Sequence, residues 1–102
     1  MRSIYLARLD KIRPVVILTR EAVRSVRSLV TVAPITSTGR GLTTEVPVGP
    51  ANGLDRESVV NCDNIVTIQV ADLIRPVGFL AEAQELELSD AIAVAFDLVG
   101  RD

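Results

Sequence analysis

"RPVVILT", residues 13–19, is the stretch on which the fold turns. After Pro14 it is a short, continuous apolar run rich in β-branched side chains. Its length and composition indicate a strand buried on both faces. Pro14 has no N–H for a ladder, so it belongs at the beginning of that strand. Arg13 then stands at the strand mouth, with its backbone held by the sheet and its guanidinium at the rim. A planar, permanently charged fork fits a phosphodiester, although an Arg flanking an apolar strand is also commonplace. A buried strand needs neighbours on both sides, so the reading extends outward from here.

Upstream, "SIYLARL" (3–9) alternates loosely and reads as a first strand. Downstream, "REAVRSVRS" (20–28) reads as either a short helix or a polar connection. "LVTVAPI" (29–35) is a third strand, and "LTTEVPV" (42–48) is a fourth, edged by Pro47. "GPANGL" (49–54) is a turn-rich loop, and "SVVNCDNIVTIQV" (58–70) gives two short strands broken by "NCDN". A helical turn followed by a last strand around Val77–Leu80 is predicted from "ADLIRPVGFL". In the tail, Leu88, Ile92, Ala95, Phe96 and Val99 line one helical face. Glu82, Glu85, Glu87 and Asp90 favour the positive end of that helix, and Gly100 is the predicted stop. The plan is one domain over 1–102: mainly β, a small twisted sheet or half-barrel carrying a C-terminal helix.

Composition narrows the function. Apolar residues make up 48% and charged residues 24%, as in a globular domain. Aromatics are 3%, too few for a base-stacking platform. There is no histidine, which removes His metal sites and Ser-His or Cys-His pairs within the chain. The single cysteine, Cys62, allows no internal disulfide, as expected of a cytoplasmic protein. No apolar run approaches the roughly 20 residues needed to span a bilayer, so no membrane association is expected. No cofactor and no dedicated metal site are expected from the scattered carboxylates. The net charge is −2, but it is divided unevenly. Residues 1–44 carry eight Lys or Arg against two acids, and residues 45–102 carry three against eleven. That asymmetry points to a nucleic-acid face, or to surface charges that intermix in three dimensions.

One further stretch draws attention. "VAPITSTGR" (32–40) leaves the third strand through Thr36 and ends in Ser37, Thr38, Gly39 and Arg40. The plain reading is a polar turn. Read together, however, "RPVVILT" and, about twenty residues later, "VAPITS" resemble the MazF/PemK family of toxin endoribonucleases. "SIYLARLD", "EVPV", "SVVNCDNIVTI", "IRPVGFL" and "LSDAIAVAFDL" resemble its remaining elements in order and spacing, over essentially the whole chain. The resemblance implies a small SH3-like β-barrel with a terminal helix, in a homodimer. It implies metal-free cleavage of single-stranded RNA at short sequences, and a cognate antitoxin whose extended acidic segment fills the RNA site. The family's catalytic Arg and Thr fall on Arg13 and Thr36. Ser37, Thr38, Arg40, Asn61, Asp63 and Asn64 are the candidate RNA contacts, because amides and hydroxyls read exposed base edges. Asp63 is also a candidate general base or a loop-capping residue, and Arg20, Arg24 and Arg27 either follow the RNA backbone or form a solvated face. The chain departs from the family in lacking its Gly-rich loop: only Lys11 and Ile12 separate Leu9-Asp10 from Arg13. A gyrase-binding toxin of the same fold is a second reading, disfavoured by the terminus "LVGRD". A non-catalytic SH3-like adaptor is a third, disfavoured by the lack of aromatic residues.

Overall fold

The computed structural model describes residues 1–98. Seven strands form one antiparallel sheet: β1 (Ser3–Arg8), β2 (Ile12–Ile17), β3 (Leu29–Thr36), β4 (Glu45–Val48), β5 (Ser58–Asn61), β6 (Val66–Gln69) and β7 (Leu73–Phe79). Their order is β4-β5-β3-β2-β1-β7, with β6 also on β3. The ladder does not close; β4 and β7 end the strand path and β6 pairs on β3 alone, so the barrel expected from the sequence is an open one. A one-turn helix α1 (Glu21–Arg24) links β2 to β3, and helix α2 (Glu82–Ala95) follows β7.

The apolar run is the buried strand it reads as. Strand β2 lies between β1 and β3, and Val15, Val16 and Ile17 are buried. Alternation sends these residues to both faces of the sheet. On one face Ile4, Val16, Ala33, Ile35, Val46, Val60 and Leu80 form the main core with Leu88 and Ala91 of α2. On the other, Ala7, Val15, Ile17, Val30 and Val32 form a smaller one, flanked by Tyr5, Leu9, Ile68 and Leu73. Strand β3 is the spine: along one edge it pairs with β6 and then β5, and along the other with β2.

Several expectations are corrected. The fourth strand starts at Glu45 rather than residue 42, because Leu42 begins a turn whose carbonyl accepts from Glu45 N–H. The last strand starts at Leu73 and runs through Pro76. That is tolerable because β7 is an edge strand and its register on β1 shifts at two points. Phe96 is not part of the apolar face: it caps α2 and is 56% exposed. The helix ends at Ala95, followed by Asp97 in the left-handed region (φ 54°). Val99 and Gly100 lie outside the described residues.

The N-terminus of α2 is tied down by amides. Gln84 accepts from Ala81 N–H (2.8 Å) and donates to the Pro47 carbonyl (3.1 Å). It also makes a two-way amide pair with buried Asn52 (2.7 and 3.1 Å). Asn52 in turn accepts from Gly49 N–H and donates to the Phe79 carbonyl. Helix, β4 and the 49–54 loop thereby share one polar knot inside the fold.

Candidate active site

The site is built where β2 and β3 part. Their register pairs Val15 with Pro34, Val16 with Ala33 and Ile17 with Val32. Carried on by two residues, it sets Arg13 opposite Thr36. Neither Pro14 nor Pro34 has an N–H to donate, so the ladder lapses there and the strand ends open into a cleft. Arg13, Val15 and Ile17 share a face, as do Thr36, Pro34 and Val32. Both candidate catalytic side chains therefore emerge beside the smaller core cluster, on strands whose backbones that core holds still.

Two clefts meet at this pair. The first, of about 230 Å³, is bounded by Lys11, Arg13, Ile35, Thr36, Ser37, Leu54, Asp55, Arg56 and Ser58. The second, of about 410 Å³, is bounded by Arg13, Pro34, Thr36, Thr38, Gly39, Arg40, Glu45, Asn61 and Asn64. Arg13 and Thr36 form a wall of both.

Arg13 is 20% exposed at its side chain and donates to the Asp10 carboxylate at 3.0 Å. Its Nε is buried without a hydrogen-bond partner. The tight β1–β2 turn, in which Leu9 N–H donates to the Lys11 carbonyl (3.1 Å), is what brings Asp10 within reach. Burial works against the Asp10 carboxylate, but the Lys11 amide and the Arg13 guanidinium outweigh it and hold its pKa below the usual range. Asp10 was not singled out by the sequence reading; its place three residues before Arg13 becomes meaningful only once the turn is known. Thr36 Oγ1 meets Thr38 Oγ1 at 3.0 Å and accepts from Thr38 N–H at 3.3 Å, which fixes its rotamer at the lip.

The lip is ordered by Glu45. Its carboxylate accepts from the backbone N–H groups of Arg40 (3.0 and 3.2 Å) and Leu42 (3.0 Å). The Leu42 bond is the largest influence on Glu45; burial opposes it, and the Arg40 and Gly41 amides and the Arg40 charge reinforce it, so the pKa is lowered. A carboxyl lowered in this way contributes order above its unfolded pKa and loses it as pH falls through the folded value. Glu45→Ala is expected to speed amide hydrogen exchange at Arg40 and Leu42 severalfold at neutral pH. Acidifying the wild-type protein below the ordinary carboxylate range should lower the protection of the same two amides relative to their intrinsic exchange rates at that pH, and equal exchange in both proteins at neutral pH would contradict this role.

The remaining predicted residues divide. Ser37 borders the first cleft, and Thr38, Arg40, Asn61 and Asn64 border the second. Asn61 accepts from Asp63 N–H (2.9 Å), which turns its amide NH₂ outward as a donor. Asp63 borders neither cleft; its carboxylate accepts from Thr44 Oγ1 (2.6 Å) and ties the "NCDN" turn to the segment before β4. Arg20 and Arg24 border a pocket at the opposite end of β2 with Thr19 and Glu85, where Arg24 pairs with Glu21 at 3.2 Å. Cys62 is buried, and desolvation, aided by the Asp63 charge, pushes its thiol up to about 11. Among the described residues no group of three or more His, Cys, Asp or Glu is placed to hold a metal, and no helix is long and apolar enough to cross a membrane.

Residues 2–96 match the family model described as PemK-like, MazF-like toxin of type II toxin-antitoxin system. The chain belongs to the PemK/MazF toxin family. It is 60% identical over 98 residues to endoribonuclease MazF3 of Mycobacterium tuberculosis, covering 96% of this chain and 95% of that protein. The solved structure of the Mycobacterium tuberculosis toxin MazF-mt6 superposes with a TM-score of 0.95 at 58% identity, over 97% of this chain and 100% of that one. An endoribonuclease from a mycobacterial species, solved in complex with its cognate antitoxin, superposes with a TM-score of 0.86 at 27% identity, over 97% and 95% of the two chains. The open sheet with one terminal helix is thus the fold of this toxin family.

Proposed function

We propose that this toxin is an endoribonuclease that cuts single-stranded RNA at short sequences, without a metal, in the cytoplasm. The observation that carries the reading is that Arg13 and Thr36, at the parting ends of β2 and β3, line both clefts, so that a permanently charged guanidinium and a fixed hydroxyl share their junction. RNA supplies its own nucleophile, so alignment and charge stabilisation are what the protein must add. The 2′-oxygen bonds to phosphorus, and the bond from phosphorus to the 5′-oxygen breaks. The proton lost by the 2′-hydroxyl is balanced by one gained on the leaving oxygen. The products are a 2′,3′-cyclic phosphate and a 5′-hydroxyl. Arg13 stabilises the charge that builds on the phosphoryl oxygens, and Thr36 orients the phosphate. Arg13 does not act as a base, since its guanidinium does not deprotonate in proteins.

The toxin acts as a homodimer and is restrained by a cognate antitoxin. An extended acidic segment of that antitoxin would meet Lys11, Arg13 and Arg40 in the same clefts that take RNA. Induced expression in bacteria should arrest growth rapidly with fragmented RNA, and co-expression of the antitoxin should restore growth. Arrest with intact RNA and damaged DNA would instead support gyrase poisoning.

A further inference from the structure

The two clefts that share Arg13 and Thr36 differ in chemistry. The larger offers the amides of Asn61 and Asn64 and the hydroxyl of Thr38, groups suited to base edges. The smaller has no amide side chain. It is edged by Lys11 and Arg56 in addition to Arg13, against the single carboxylate of Asp55, with hydroxyls from Thr36, Ser37 and Ser58. Lys11 and Arg56 are exposed and form no ion pair among the described residues.

Arg56 is held there from both sides. Leu54, two residues earlier, is buried in the main core. Ser58, two residues later, opens β5 and donates its hydroxyl to the Arg56 carbonyl at 3.1 Å. β5 pairs Val59 with Thr36 on β3, so the Arg56 anchor lies directly beside the candidate catalytic threonine. Lys11 reaches the same cleft from the β1–β2 turn, next to the Asp10–Arg13 pair. Two cations without ion-pair partners thus border one hydroxyl-lined trough that adjoins the reacting centre, and with no amide side chain in it the trough is weighted toward phosphate rather than base edges.

We propose that Lys11 and Arg56 form a backbone subsite for the RNA phosphate next to the scissile one. Its counterpart, the amide-lined cleft, takes the base on the other side of the cut. The inference rests on the RNA-cleaving reading of the site. The subsite binds without taking part in the chemistry: it sets substrate affinity and the salt dependence of binding, while Arg13 and Thr36 set the rate.

The probe is a single-stranded RNA carrying the mapped cleavage site, with a 2′-deoxy sugar at the nucleotide that would supply the nucleophile, so that it binds uncut. Arg56→Gln should weaken binding roughly tenfold and lower the dependence of log affinity on log salt by about 0.7, the value of one phosphate on a single strand. On cleavable RNA it should raise KM and leave kcat unchanged, and Lys11→Gln should act in the same direction. In a scan that replaces each phosphate in turn by an uncharged methylphosphonate, one position adjacent to the cut should weaken wild-type binding but not binding by Arg56→Gln. Unchanged affinity and salt slope in both variants would overturn the subsite while leaving the ribonuclease reading intact. So would methylphosphonate losses that are additive with Arg56→Gln at every position. A wild-type protein that cuts no RNA overturns the parent reading instead, and a variant with a lowered unfolding midpoint is replaced by Arg56→Lys, which should restore the salt slope.

Discussion

Replacing Arg13 with alanine is expected to lower single-turnover RNA cleavage by about 100- to 1,000-fold, the cost of losing one preorganised donor at a developing charge. The unfolding midpoint should barely move. Arg13 has one ionic partner, the 71%-exposed Asp10, and surface ion pairs of that kind are worth about 0–1 kcal/mol. The apolar neighbours that hold β2 in place, Val15 and Ile17, are untouched by the change. Arg13→Lys should recover little activity, because an ammonium is a point charge without the planar fork. Thr36→Val, which keeps the shape and removes the hydroxyl, should cost on the order of tenfold, one hydrogen bond's worth. Stopped or quenched single-turnover assays on folded variants separate these effects. A tenfold or smaller loss for Arg13→Ala would mean that charge stabilisation resides elsewhere.

The largest expected change in stability comes from a residue outside the site. Asn52→Ala removes four hydrogen bonds at once, from Gly49 N–H, to the Phe79 carbonyl and both ways with Gln84. Asn52 is 4% exposed, so water does not readily replace them. Each buried polar group left unpaired costs about 1–3 kcal/mol, and two or more would be stranded. A loss of about 3 kcal/mol or more, set against a usual total of about 5–15 kcal/mol, should lower the unfolding midpoint by roughly 12 °C or more for a domain of this size. The loop that Asn52 fixes leads through buried Leu54 to Arg56. Asn52→Ala should therefore also raise KM, measured below its own unfolding temperature. Thermal unfolding followed by circular dichroism checks the first part, and a midpoint within a few degrees of wild type would show that the knot is dispensable.

These two residues mark the boundary of what the chain discloses before it is folded. The strand ends that carry Arg13 and Thr36 are announced by local composition, but composition alone reads them as a flanking Arg and a polar turn; the resemblance of "RPVVILT" and "VAPITS" to the MazF/PemK family is what singles the two out. The β-branched runs that became β2 and β3 needed no tertiary information to be recognised. Asn52 was not legible: "PANG" reads as an ordinary turn, and only the approach of Gln84, more than thirty residues away, buries its amide. Arg56 was missed for the same reason, since its meaning depends on β5 lying beside Thr36. Strand β7 was read too short because Pro76 signals a break, and only its edge position on β1 makes that proline harmless. Phe96 was placed on the apolar face by periodicity, but the helix ends one residue earlier and the period no longer applies.

If Arg13 and Thr36 form a metal-free phosphodiester-cleaving pair, the ends of the cut RNA carry its signature. Purified protein, incubated with a mixed pool of single-stranded RNA in excess EDTA, should leave fragments with 2′,3′-cyclic phosphate and 5′-hydroxyl ends at recurring short sequences. Arg13→Ala at the same concentration should leave the pool intact. Cleavage that requires added Mg²⁺, fragments with 5′-phosphate ends, or undiminished cutting by Arg13→Ala would contradict it.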